Sequence, residues 1–148
     1  TVRDANAERG QDFLKQLAVC YNRQANADKN EIAVKTEEFI NGRLEKIMAD
    51  FFYRKGLEYK YECPLYLRGM GTIYPDFTFL SKKTGEEIYW EHNGKCDDSV
   101  YVRDMVRKIN AYENNGIFPG ERLILTYETE QTILNTGKIE QLAERYLM

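Results

Sequence analysis

The chain has 148 residues, of which 43% are hydrophobic and 30% charged, and its formal net charge is −3. That length accommodates one domain with a proper core and excludes two comfortable ones, while the lack of any run of about 18 apolar residues excludes an ordinary membrane-spanning helix. The negative balance removes any global electrostatic case for nucleic-acid binding, so a basic groove would have to be local.

Residues 1–34 carry an apolar set at helical spacing, Phe13, Leu14, Leu17, Ala18 and Tyr21, followed by a polar run over 22–30. This segment reads as a helix and linker preceding a second unit, 35–148, and as the route to any larger protein assembly. From Thr36 to Lys55, Ile40, Leu44, Ile47, Met48 and Phe51 follow the pattern of an amphipathic helix, and Gly56 supplies its stop. Glu45 falls at the edge of the buried face, with Glu38 on the same flank two turns earlier; a glutamate at such a place is ordinarily a solvated charge. Leu57 to Leu67 alternates into a strand in which Pro64 marks an edge or a break.

Gly69 and Gly71 then turn the chain into TIYPDFTFLSKKTGEEIYWEHNGK, residues 72–95. It reads as two strands, Ile73 to Leu80 and Glu87 to His92, around a polar turn at Lys83, Thr84 and Gly85. A hairpin symmetric about the Lys83–Thr84 bond sets Asp76 opposite Glu91. Directly opposed like charges destabilise a strand pair, and a divalent cation between them is the simplest compensation. In any other register both acids are merely solvated, and the spacing alone leaves the two readings open. A loop, Asn93 to Asp98, leads into a helix, Ser99 to Asn115, with Asp97, Asp98 and Ser99 suited to its N-terminus. Its apolar face is Val102, Met105, Val106 and Ile109, flanked by Tyr101 and Tyr112, with Lys108 at the edge beside those tyrosines. A strand from Arg122 to Tyr127 and a last helix from Thr136 to Leu147, capped by Asn135 or Thr136, complete the chain.

The order predicts an α/β fold with a mixed sheet covered by helices, in which the step from Glu91 to Arg122 calls for a right-handed crossover and a parallel strand pair. Trp90 alternates away from Glu91 into the core. His92, the one histidine, also points opposite Glu91, which favours a hydrogen-bonded place beneath the sheet over a catalytic base. Cys20, Cys63 and Cys96 are odd in number and widely spaced, so neither a zinc site nor a disulfide framework is indicated and ordinary thiols are expected.

With YPDF at 74–77, WEHNG at 90–94 and KINAYENNGI at 108–117, residues 36–148 resemble the PD-(D/E)xK nuclease superfamily, the restriction-endonuclease-like fold. The resemblance is strongest to a bacterial, phage- or mobile-element-associated branch with a WEHxG signature. It implies a core of helix, three antiparallel strands, helix and further strand. Position by position, it implies that Asp76 and Glu91 are the strand acids and that Glu45, counted back from YRKG at 53–56, is the helix acid, with Glu38 as the weaker alternative. A strict ExK motif would put lysine where this chain has Asn93. The lysine is therefore expected from Lys108 on the following helix, with Lys95, in the loop after Gly94, as the other candidate.

The activity implied is Mg²⁺-dependent hydrolysis of phosphodiester bonds, in DNA first of all, with Mn²⁺ able to substitute. Asp76, Glu91 and Glu45, with His92 as an additional candidate ligand, would hold the metal, and Lys108 or Lys95 would orient or help deprotonate the attacking water. Loss of the motif lysine leaves the alternative of a catalytically inactive module that binds nucleic acid or a protein partner. Relatives that cut both strands are commonly homodimers. Lys82, Lys83, Arg103 and Arg107 are candidates for phosphate contacts, weighed against the ordinary role of such residues as solvated charges. A cytoplasmic location is expected.

Overall fold

The computed structural model describes residues 43–148; the expected N-terminal helix and linker, and Glu38, lie outside the described residues. Helix α1 (Arg43–Arg54) is the described part of the first amphipathic pattern, and it buries Met48, Ala49, Phe51 and Phe52. Gly56, at φ +69°, turns the chain out of it, and the Leu57 N–H closes back on the Phe52 carbonyl at 2.9 Å.

The strand expected over Leu57 to Leu67 is two strands, β1 (Tyr59–Tyr61) and β2 (Leu65–Leu67). That expected over Ile73 to Leu80 is likewise β3 (Gly71–Ile73) and β4 (Phe77–Leu80). The interruptions face each other. Glu62 adopts a left-handed backbone at φ +49°, Pro64 follows, and the Glu62 N–H donates to the Asp76 carbonyl at 3.2 Å across the gap. One long hairpin therefore becomes two ladders, with β2 and β3 forming a separate two-stranded sheet. Asp76 sits at the break, outside the ladder.

The main sheet has the order β1-β4-β5-β6, where β5 is Glu87–Asn93 and β6 is Leu123–Tyr127. Strands β4 and β5 pair antiparallel with Phe77 opposite Trp90 and Thr78 opposite Tyr89, the symmetric register that brings Asp76 level with Glu91. Strand β6 pairs parallel to β5, and helix α2 (Ser99–Asn114) forms the connection between them. Helix α3 (Thr136–Leu147) starts where expected, with the Asn135 side chain accepting the Lys138 N–H at 2.9 Å. The result is α/β with a mixed sheet.

Alternation along β5 divides the core between the two sheet faces. Trp90 and Ile124 face α1 and α3, in a cluster centred on Phe52, whose ring lies 5.1 Å from Phe77, 4.8 Å from Phe79 and 5.3 Å from Trp90 between centroids. Tyr89 and Leu123 face α2, with Tyr112, Ala111, Ile117, Leu67 and Ile73. Glu91 shares this second face and therefore looks toward α2.

The cysteines depart from expectation: Cys96 is a free thiol, but Cys63 is disulfide-bonded, a pairing that widely spaced cysteines do not announce in a sequence. Among the described residues no helix is long and apolar enough to cross a membrane.

Candidate active site

The carboxylates of Asp76 and Glu91 are held by each other's backbone. The Asp76 N–H donates to Glu91 Oε1 at 3.1 Å, and the His92 N–H donates to Asp76 Oδ2 at 2.6 Å. Both bonds follow from the hairpin register and from the break before β4, which frees the Asp76 side chain to turn onto β5. Pro75, itself fully buried, anchors that break. Lys108, on α2, completes the group by donating from Nζ to Glu91 Oε2 at 2.8 Å. Of the two candidate lysines, this is the one in contact with the acids. Lys95 is exposed in the loop after β5, and it lines the adjoining cleft without an ion pair to either acid among the described residues.

Burial and mutual repulsion act on these groups together. Asp76 is pushed up to about 7, first by burial and then by the charge of Glu91; the His92 N–H works against this, Glu45 adds to it, and Lys108 offsets it. Glu91 is also raised, by burial, although the Lys108 charge and hydrogen bond pull it back. For Lys108 burial alone would lower the value, yet Glu91 and the field of Asp76 outweigh it and the ammonium is raised. Lys108 is therefore a cation at neutral pH.

A cleft of about 1180 Å³ opens in front of Asp76. Glu45, in the first turn of α1, reaches it with Leu44 and Ile47; Ile133 and Leu134 add apolar wall, and Asp97, Asp98, Glu128 and Glu130 close the rim. Several of these acids already have work in the fold. Asp98 caps α2 by accepting the Val100 and Tyr101 N–H groups at 2.9 and 3.1 Å, and Asp97 accepts the Glu130 N–H at 2.6 Å.

His92, expected as an additional metal ligand, lines the cleft, and both of its ring nitrogens have side-chain partners. Nδ1 lies 2.7 Å from Thr126 Oγ1 and Nε2 lies 3.0 Å from Glu128 Oε1. Trp90 Nε1 donates to the same Thr126 oxygen at 3.2 Å. Asn93, at the ExK lysine position, is buried and donates to the Thr126 carbonyl at 3.2 Å, so that position is structural.

Among the described residues no group of three or more His, Cys, Asp or Glu side chains is arranged to hold a metal ion. The donor set nonetheless fits Mg²⁺, which is commonly held by one or two carboxylates with water in its other positions, and a cation would relieve the repulsion that raises Asp76. Tyr101, on the flank of α2, joins the site without having been expected there. Its Oη accepts the Gly94 N–H at 3.3 Å and donates to the His92 carbonyl at 3.5 Å, beside the acids. Its signal in the sequence is spacing: Tyr101, Met105, Lys108 and Tyr112 recur at four, three and four along one stripe of α2.

No family model and no curated protein matches the chain. Among solved structures, a chain in a cryo-electron microscopy structure of a DrdV–DNA complex is similar over 86% of this chain at 13% identity, with a TM-score of 0.35. The match spans 11% of that longer chain.

Proposed function

We propose that this chain carries a restriction-endonuclease-like core and acts as a Mg²⁺-dependent nuclease hydrolysing phosphodiester bonds, in DNA first of all. The observation that supports it is the contact sequence from the half-exposed Lys108 through the buried Glu91 to Asp76, which lines a cleft. Asp76 and Glu91 would hold the metal, with Glu45 reaching it from α1. When bound, Mg²⁺ would offset charge on the phosphate and make hydroxide available from water near neutral pH.

The protein's own groups have distinct tasks. Asp76, held at Oδ2 by the His92 N–H, lines the cleft. Glu91 keeps Lys108 in place. Lys108, being protonated, donates a hydrogen bond to the attacking water or a phosphate oxygen and offsets charge developing on phosphorus, in place of taking the proton itself. Removing one such preorganised donor lowers kcat by a factor of about 10²–10³.

A second reading draws on one observation. Six carboxylates line the cleft, and Lys95 is the cation among its lining residues. That surface also suits a non-catalytic module facing a basic partner. A panel of single-stranded, duplex and branched DNA with Mg²⁺ or Mn²⁺ separates the two, comparing the native protein with Asp76→Asn and Lys108→Met. Metal-dependent cutting abolished by the first variant and cut at least a hundredfold by the second is the expected result. No cutting on any substrate, with no thermal stabilisation by either metal, establishes the second reading instead.

A further inference from the structure

Tyr112 is fully buried, and its hydroxyl is an orphan: no hydrogen-bond partner among the described residues reaches Oη. The ring comes from α2 one turn beyond Lys108 and packs against Tyr89 at 6.0 Å between centroids. Tyr89 and Glu91 are two apart on β5, so their side chains share a face, and Lys108 already touches Glu91. Helix and strand thus run side by side, with Lys108 over Glu91 and Tyr112 over Tyr89, so that Tyr112 shares the sheet face of Glu91 and is not among the residues lining the cleft. Glu91 is the strongest charge acting on it after burial, followed by Tyr89 and Asp76, and this holds Tyr112 in its neutral, proton-donating form.

Glu91 has capacity to spare. An ionised carboxylate offers about four acceptor positions. Two are taken, Oε1 by the Asp76 N–H and Oε2 by Lys108. Buried hydroxyls in apolar surroundings are ordinarily satisfied, and where no protein group reaches them an internal water making two to four bonds does so. We propose that a buried water bridges Tyr112 Oη and the Glu91 carboxylate, making Tyr112 a positioning residue that fixes the rotation of Glu91 toward Asp76 and the cleft. The water accepts a hydrogen bond from the Tyr112 O–H and donates one to Glu91, so Glu91 gains a third hydrogen bond without a further charge. The inference stands whether or not the chain cuts nucleic acid.

Tyr112→Phe removes one oxygen and leaves the packing of the ring in place, so the variant should fold. With the water present, the substitution strips a satisfied hydroxyl of its bonds and lowers Tm by a few degrees. A hydroxyl that is truly orphaned gives the opposite sign, because its removal relieves an uncompensated desolvation, and a rise in Tm overturns the proposal. Two readouts reach Glu91 directly. In a crystal structure at about 1.5 Å resolution, density for a water within hydrogen-bond distance of both Tyr112 Oη and Glu91 is expected, and a dry site or a direct bond from Oη to another protein group overturns it. In solution, water cross-peaks to the Tyr112 ring protons should vanish in Tyr112→Phe, and the Glu91 side-chain carbonyl ¹³C shift should move. An unchanged Glu91 signal would reduce Tyr112 to a packing residue.

Discussion

At Asp76 the fold holds a carboxylate where its charge is disfavoured, since burial and the neighbouring Glu91 push it from an ordinary 3.8 to about 7. A raised carboxylate binds its proton more tightly folded than unfolded, so its contribution to stability is present below the unfolded value and is lost as pH rises through the folded one. A rise of that size corresponds to about 4 kcal/mol as an upper bound. The apo protein should therefore lose about 2–4 kcal/mol between pH 4 and pH 8 relative to Asp76→Asn, in which the amide oxygen still accepts the His92 N–H. Urea unfolding of both proteins across that range measures it. Parallel stability curves would mean that Asp76 is ionised and well solvated, leaving a cation no repulsion there to relieve. The pairing of Asp76 with Glu91 is one of two readings that the sequence spacing leaves open, and the β4–β5 register decides it. The fate of His92 is legible only by strand parity; its partners, Thr126 on β6 and Glu128 just past that strand, lie 34 and 36 residues on, which no local pattern announces.

Helix α2 does two things for the site: it carries Lys108, and its first turn forms the cleft rim. The Asp98 cap holds that turn, and the residue is acidic, faces the cleft and is easily mistaken for a metal ligand. Asparagine caps as well as aspartate, whereas alanine cannot accept the N–H groups of Val100 and Tyr101. Asp98→Ala is expected to lower stability by about 1 kcal/mol and Asp98→Asn to leave it within about 0.5 kcal/mol, with metal-dependent stabilisation intact in both. Chemical denaturation with and without Mg²⁺ decides this, and loss of the metal effect in Asp98→Asn would make the carboxylate a ligand. Capped, periodic elements such as this helix and α3 are legible within a residue at each end, because their boundaries are local chemistry. The broken strands are a different case. Pro64 announces an edge or a break in the first strand, but nothing in the pattern from Ile73 to Leu80 announces the second break, and the two depend on one another through the Glu62 N–H and the Asp76 carbonyl, a contact made only once the hairpin has closed.

Over the whole molecule, charge sets how a nucleic acid could approach. The net charge is −3 and the cleft before Asp76 is lined by six carboxylates, so a phosphodiester entering it without a cation meets repulsion that only Lys95 on the lining, and the half-exposed Lys108 in contact with Glu91, would offset. Proteins that bind DNA through a basic surface release many counterions, and with 6–10 phosphate contacts they lose about 10³–10⁵ in affinity between about 50 and 200 mM salt. Two lysines cannot produce such a slope. The proposed nuclease should instead bind a labelled oligonucleotide weakly in chelator, gain at least tenfold from Mg²⁺, and show only a shallow response to monovalent salt. Asp76→Asn should bind no better with Mg²⁺ than without, because the ligand that draws the cation to the phosphate is gone. Fluorescence anisotropy with native protein and variant, each with and without the metal, gives all four values. Tight binding in chelator with a steep salt dependence would place the phosphate-contacting surface elsewhere, on the exposed cations Lys82, Lys83, Arg103 and Arg107, and would separate nucleic-acid recognition from the acids at Asp76 and Glu91.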